Sequence, residues 1–134
     1  MYGHAAEQVT PLDPICWQQN ETYLYAVDLF NYSYFWEAHE AWESLWHAAG
    51  HQGQVADFLK GLIKLAAAGV KQCEGNAAGV ARHLSRGHEL LHGVHATHTF
   101  AGVDVKYLLE EIKQLKTNTL KNITLNLVFA QPPA

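Results

Sequence analysis

Cysteine is scarce in this sequence: Cys16 and Cys73 are the only two among 134 residues, and no CxxC spacing occurs. A disulfide framework is excluded as the organising device, and a reducing, cytoplasmic setting is the expected address. Neither thiol opens an electropositive helix, so neither reads as a nucleophile. Charge is sparse too, at 16% of residues against roughly 25% in an average soluble domain. So thin a polar surface favours burial against a second copy of the chain, and a homo-oligomer is expected. Nine Lys and Arg against 13 Asp and Glu leave a net charge of -4, with no cation surplus to displace counterions from a polyphosphate. A local basic patch aside, no nucleic acid partner is expected. Long apolar runs are missing: the longest, Leu62 to Val70, is interrupted by Lys64 and falls well short of the ~20 residues of a membrane span. No basic segment followed by an apolar run opens the chain, so neither membrane nor secretion is expected. The Asn-x-Ser/Thr triplets at Asn20, Asn31 and Asn122 then read as chance matches.

What is abundant is hydrophobic residues, 49% of the chain, and histidine, nine in all. A chain of this length fits one domain with a core of its own. The periodicity predicts an all-α fold, a compact bundle of about five helices with an extended N-terminal arm (1–19), a bundle domain (20–118) and an extended C-terminal tail (119–134). Asn20 is placed to cap a first helix running to about Phe30. A second runs from about Tyr34 to Ala49 and ends at Gly50, and a third covers Gly53 to Glu74. Gly75-Asn76 stops that helix and starts a fourth, which reaches His92 with Val80, Ala81, Leu84, His88 and Leu91 inward. A histidine-rich loop over 93–102 leads to Asp104, the cap of the fifth helix. In the tail, Ile123, Leu125, Leu127 and Phe129 alternate as an extended segment should, and this end is expected to dock on the bundle or a neighbour. Gly61, Ala67 and Ala68 give the third helix a low side that another helix can approach closely.

The second helix carries the chemistry. At 100° per residue, Phe35, Ala38, His39, Trp42, Leu45, Trp46 and Ala49 share a face, and Glu43 stands one turn beyond His39. An imidazole and a carboxylate at that spacing can hydrogen-bond or share a divalent metal. Two ligands on one helix are too few, and His88 or Asp28 is a candidate third. Trp36, Trp42 and Trp46 read as core. Lys60, Lys64 and Lys71 form a stripe on the third helix that can pair with Glu40 and Glu43 if the second helix covers it. No phosphate-binding glycine loop and no Ser-His-Asp set is present.

Taken together, Phe30-Asn31, the run Tyr34-Phe35-Trp36-Glu37-Ala38-His39-Glu40-x-Trp42-Glu43-x-x-Trp46, the run Phe58-Leu59-x-Gly61-Leu62-Ile63-x-Leu65-Ala66-Ala67, and Gly75-Asn76-x-x-Gly79 are a specific combination. From about Tyr23 to Leu109 the chain resembles the prokaryotic "domain of unknown function 309" family. The resemblance implies a helical bundle and assigns His39, Glu43 and Trp46 to a hallmark proposed to bind metal, with no established reaction. Lys60 and Lys64 stand where that family commonly has Gln, and Lys71 where an aromatic residue or His is expected. Such lysines suit a small anionic ligand better than a cation.

Two functions follow as expectations. The first is a non-enzymatic, self-associating domain that binds a small anionic ligand or a protein partner, with His39, Glu40, Glu43, Trp46, Lys60 and Lys64 as its candidate ligand-binding residues. Here His39 and Glu43 form a hydrogen-bonded structural pair. The alternative is a metal-assisted hydrolase, with His39 and Glu43 holding a divalent metal and Glu40 as general base.

Overall fold

The computed structural model describes residues 9–94, 99–117, 127 and 129. Five helices follow one another: α1 (Glu21–Asn31), α2 (Phe35–Ala48), α3 (Gln54–Cys73), α4 (Ala77–His92) and α5 (Val105–Thr117). Between the last two lie strands β1 (Thr99–Phe100) and β2 (Val103–Asp104). The all-α bundle expected from periodicity is the fold observed. Among the described residues no helix is long and apolar enough to cross a membrane.

Side chains that accept the first free amide protons start three of the helices. Asn20 Oδ1 accepts from Tyr23 N at 3.0 Å, Asn76 Oδ1 from Gly79 N at 2.8 Å, and Asp104 Oδ1 from Tyr107 N at 3.0 Å. Gly50 and Gly75 end α2 and α3 with φ of +76° and +71°, the left-handed turn that a glycine adopts without steric penalty.

The long helix α3 is the centre of the bundle, packed on one side by α2 and on the other by α4, with α1 outside α2 and α5 outside α4. Towards α1 and α2 the seam is filled by bulk: Tyr23, Phe30, Trp42, Leu45, Phe58, Leu59 and Leu62 are fully buried. Towards α4 it is built by smallness. A Cβ added at Gly61 would lie 2.6 Å from Leu91 Cγ, and one at Gly87 would lie 3.3 Å from the Gly61 carbonyl oxygen. The low side anticipated on α3 is thus the side on which α4 sits. The face of α4 turned inward differs from expectation. Gly79, Leu84, Gly87 and Leu91 are buried, Ala81 is exposed and His88 only half-buried. Close backbone approach turns the glycine edge of α4 towards α3, and His88 rotates to the side of α5.

The segment before α1 is more structured than an extended arm. Leu12 is buried, the Thr10 carbonyl accepts from Asn20 Nδ2 at 2.9 Å, and Trp17–Gln19 makes a turn of 3-10 helix. Part of the histidine-rich loop is a β-hairpin, its turn made by Ala101 and Gly102, both with positive φ. Two positive φ values match the right-handed twist of the strands. Of the tail, only Leu127 and Phe129 fall among the described residues, and both dock as the alternation suggests. Asn31 offers its side-chain amide as a strand mimic: Nδ2 donates to Leu127 O at 2.9 Å and Oδ1 accepts from Leu127 N at 2.7 Å. Phe129 bridges Val103 and stacks on Trp17 with centroids 4.4 Å apart. Ile123, Leu125, His95, His98 and residues 1–8 lie outside the described residues.

Candidate functional site

The residues singled out on α2 do not converge on one point. Trp42 is fully buried against Phe30, its indole Nε1 having no hydrogen-bond partner. Trp36 is 57% exposed, not core: six residues from Trp42 on a 100° helix, it points elsewhere. It lies flat on His39, with centroids 5.5 Å apart and planes 3° from parallel. His39 Nδ1, beneath this stack, is buried and also without a hydrogen-bond partner. No hydrogen bond therefore joins His39 Nδ1 to Glu43, in contrast to the structural pair expected. Glu40 faces solvent and Glu43 is half-buried.

Among the described residues neither carboxylate pairs with the lysines of α3; the ion pairs there are Lys71 with Glu74, Arg86 with Glu89 and Lys113 with Glu110. Lys60 instead rests its ammonium on the Trp46 ring, 4.2 Å from the centroid, the arrangement in which the negative face of an indole attracts a cation. Lys64 runs along the α3–α4 seam, its Cβ 3.4 Å from where a Gly87 Cβ would stand. Lys71 crosses the first turn of α4, its Cγ 2.9 Å from a Cβ added at Gly79. The glycines of α4 thus make room for lysine stems as well as for backbone.

Between Gly79 and Gly87 on this edge stands His83, which sequence reasoning missed. Burial lowers its pKa, and the charges of Lys64, Arg82, Lys71 and His39 lower it further. Lys64 is lowered by burial and then by Lys60 and Arg86. No carboxylate is among the groups acting on either, so the cations of α3 and α4 face one another in a chain of net charge -4. The signal was available: glycines at 79 and 87, four residues either side of His83, mark the edge of α4 that closes on α3. His88, the candidate third ligand, looks the other way. Burial, Lys116, His92 and Lys113 lower its pKa, and Glu110 opposes them, which places it beside α5.

A divalent metal held by His39 and Glu43 fits these residues poorly. Among the described residues no three His, Cys, Asp or Glu side chains gather as a ligand set. Asp28 is an exposed residue of α1.

The architecture defines a helical bundle whose central helix carries a lysine stripe with His83 of α4 beside it. Residues 23–83 match the model of the family described as "Domain of unknown function (DUF309)". The match spans α1, α2, α3 and the first half of α4, so it contains His39, Glu43, Trp46, Lys60, Lys64 and His83. It ends short of Leu109, the reach expected from sequence. None of the curated proteins compared with the chain matches it.

Proposed function

We propose that this domain is a non-enzymatic binding module whose ligand is a small anion held at the α2–α3–α4 edge by Lys60, Lys64, His39 and His83. One observation carries the reading: Lys60 and Lys64 lie on one stripe of α3 with no carboxylate partner among the described residues, and His83 of α4 lies within the field of Lys64 and Lys71. Gathering like charges on a folded surface is unfavourable by itself. An anion bound there relieves that repulsion and forms charge-assisted hydrogen bonds with the ammonium groups. Self-association belongs to the same proposal and is supported by Tyr32, Tyr34 and Trp36, large aromatic side chains exposed together at the α1–α2 turn. The exposed, unpaired cysteines agree with a reducing, cytoplasmic setting.

The test is thermal unfolding of untagged protein in sulfate, inorganic phosphate and pyrophosphate, against chloride at matched ionic strength. A saturable rise is expected for at least one anion, since a ligand at 100 times its Kd stabilises by about 2.7 kcal/mol. Lys64→Gln and Lys60→Gln should abolish it and leave the fold intact, whereas Lys113→Gln on α5 should not. A rise that is unsaturable, or indifferent to Lys64, sinks the proposal. The metal-assisted hydrolase, with His39 and Glu43 as ligands, has one supporting observation, the free Nδ1 of His39. It requires stoichiometric metal in untagged protein that Glu43→Gln abolishes.

A further inference from the structure

The chain has no overall surplus of cations, yet five of its nine Lys and Arg, Lys60, Lys64, Lys71, Arg82 and Arg86, lie on the facing helices α3 and α4. Three of them make a row. Lys60, Lys64 and Lys71 stand at i, i+4 and i+11 of α3, which puts them within about 40° of one line and about 6 and 10 Å apart along the axis. The wider gap is filled from α4. A Cβ at Gly87 would touch that of Lys64, and one at Gly79 would touch the stem of Lys71, so α4 runs antiparallel to α3. His83 lies midway between those two contacts, four residues from each glycine, and the charges of both lysines reach its imidazole. Four nitrogen-bearing side chains thus follow one another at steps of about 5–6 Å over about 16 Å. Arg82 adds to the field at His83, and Arg86 to that at Lys64.

Carboxylates close both ends of the row. Asp57 is exposed one turn before Lys60, and Glu74, one turn beyond Lys71, pairs with it at 3.2 Å. A single tetrahedral anion spans one step of such a row, and a polynucleotide continues past both ends into acidic ground. A short chain of linked phosphoryl groups, each negatively charged, matches its length. Trp46, at the Lys60 end, already carries the Lys60 ammonium and, with centroids 4.2 Å apart, the His51 ring, so it is not a free platform for a nucleic-acid base. We infer that the anion taken at this edge is a linear condensed phosphate of three or more phosphoryl groups, free or as the tail of a nucleotide, lying along the seam from Lys60 past Lys64 and His83 to Lys71. The inference rests on the anion reading of the same edge and adds the shape of the ligand to it. Flexible lysine stems close on successive phosphoryl oxygens. One bound chain relieves the repulsion along the whole row, whereas separate compact ions would each lose their own translational freedom to do so.

The experiment is calorimetric titration of untagged full-length protein, at neutral pH and fixed ionic strength, with orthophosphate, pyrophosphate, tripolyphosphate and adenosine triphosphate in turn. Ferrocyanide, highly charged but compact, controls for charge alone. One tripolyphosphate per chain is expected, about tenfold or more tighter than orthophosphate and tighter than ferrocyanide. Lys64→Gln should weaken every anion. Lys71→Gln should weaken tripolyphosphate about fivefold or more and leave orthophosphate as it was. Lys113→Gln, which also removes a lysine facing a glutamate on its own helix, should change neither, and helicity by circular dichroism should be the same in all three. Adenosine triphosphate binding like tripolyphosphate marks the phosphate chain as the whole ligand; tighter binding marks a nucleotide as its source. Orthophosphate that binds through Lys64 as tightly as tripolyphosphate, or a Lys71→Gln loss equal for both, overturns the extended ligand and leaves the anion reading standing. A single-stranded oligonucleotide that binds more tightly than tripolyphosphate also overturns it. Binding of every anion that is indifferent to Lys64 overturns both readings.

Discussion

The two seams of α3 are made in opposite ways. Towards α1 and α2, large side chains fill the space between helices: Trp42, Phe30, Tyr23 and Phe58 are wholly buried, with tilted ring contacts between Phe30 and Trp42 and between Tyr23 and Phe58. Towards α4, the side chains are removed, and Gly61 and Gly87 bring backbones together until a single methyl would collide. The first seam holds by apolar area and shape. The second holds by proximity, which displaces long polar side chains to its edges, where Lys64 and Lys71 run along the glycine positions. A packed aromatic seam leaves no room for ionisable groups; a thin one is flanked by them. That is why the cations of this acidic chain collect beside α4 and not beside α1.

If this contrast is right, the largest loss of stability should come from emptying the aromatic seam. Trp42→Ala removes a fully buried indole and should cost about 3–5 kcal/mol in denaturant unfolding. The buried, unpartnered Nε1 draws that figure towards the lower end, since its desolvation is already an unfavourable contribution. A loss below about 1 kcal/mol would mean that the seam is not what holds α2 to α3. At the glycine seam the sign of the size effect reverses: adding atoms, not removing them, should destabilise. Gly61→Ala sets a methyl 2.6 Å from Leu91 Cγ and should cost about 1–3 kcal/mol. Leu91→Ala introduced with it should relieve the clash, giving a favourable coupling of about 1 kcal/mol in the double-mutant cycle. Additive losses would remove the claim that close approach, at this point, is what joins α3 to α4.

The same contrast explains what could be read from sequence. Apolar periodicity reports bulk, so the aromatic seam, the helix order and the caps at Asn20, Asn76 and Asp104 were all legible. A glycine seam leaves a weaker trace, because Gly79 and Gly87 carry little hydrophobic signal; the apolar pattern points Val80, Ala81, Leu84, His88 and Leu91 inward, and of these Leu84 and Leu91 are buried. From that rotation follows the missed His83. Trp36 differs from expectation for a related reason: a large aromatic side chain reads as core, but its angle from Trp42 puts it outside. The hairpin at Thr99–Asp104 was hidden by brevity, two residues in each strand giving no alternation to read. Its turn residues, Ala101-Gly102, are signal only once a positive φ is known at Ala101. The lysine stripe was visible, but its partners were not: charge pairing with Glu40 and Glu43 was the simpler expectation, and helix rotation, which no composition reveals, sent Lys60 to Trp46.

The smallest effect concerns protons at the thin seam. His83 has its pKa lowered from an ordinary value of 6.5, by burial first and then by Lys64, Arg82, Lys71 and His39. The unfolded chain therefore takes up this proton at a higher pH than the folded one. The stability that neutral His83 contributes is complete above about pH 6.5 and is lost as pH falls through the lower folded value. His83→Asn should flatten that part of the fall in stability on acidification, with little change near pH 8. Sulfate sharpens the measurement, because its charge is constant over this range. If an anion occupies the lysine stripe, it favours the protonated imidazole and raises the folded pKa towards that of the unfolded chain. Sulfate at fixed ionic strength should then stabilise wild-type protein more at about pH 6 than at pH 8, and the difference should shrink in His83→Asn. Equal stabilisation at both pH values would place the anion away from α4, and with it the reason for treating the two seams as functionally different.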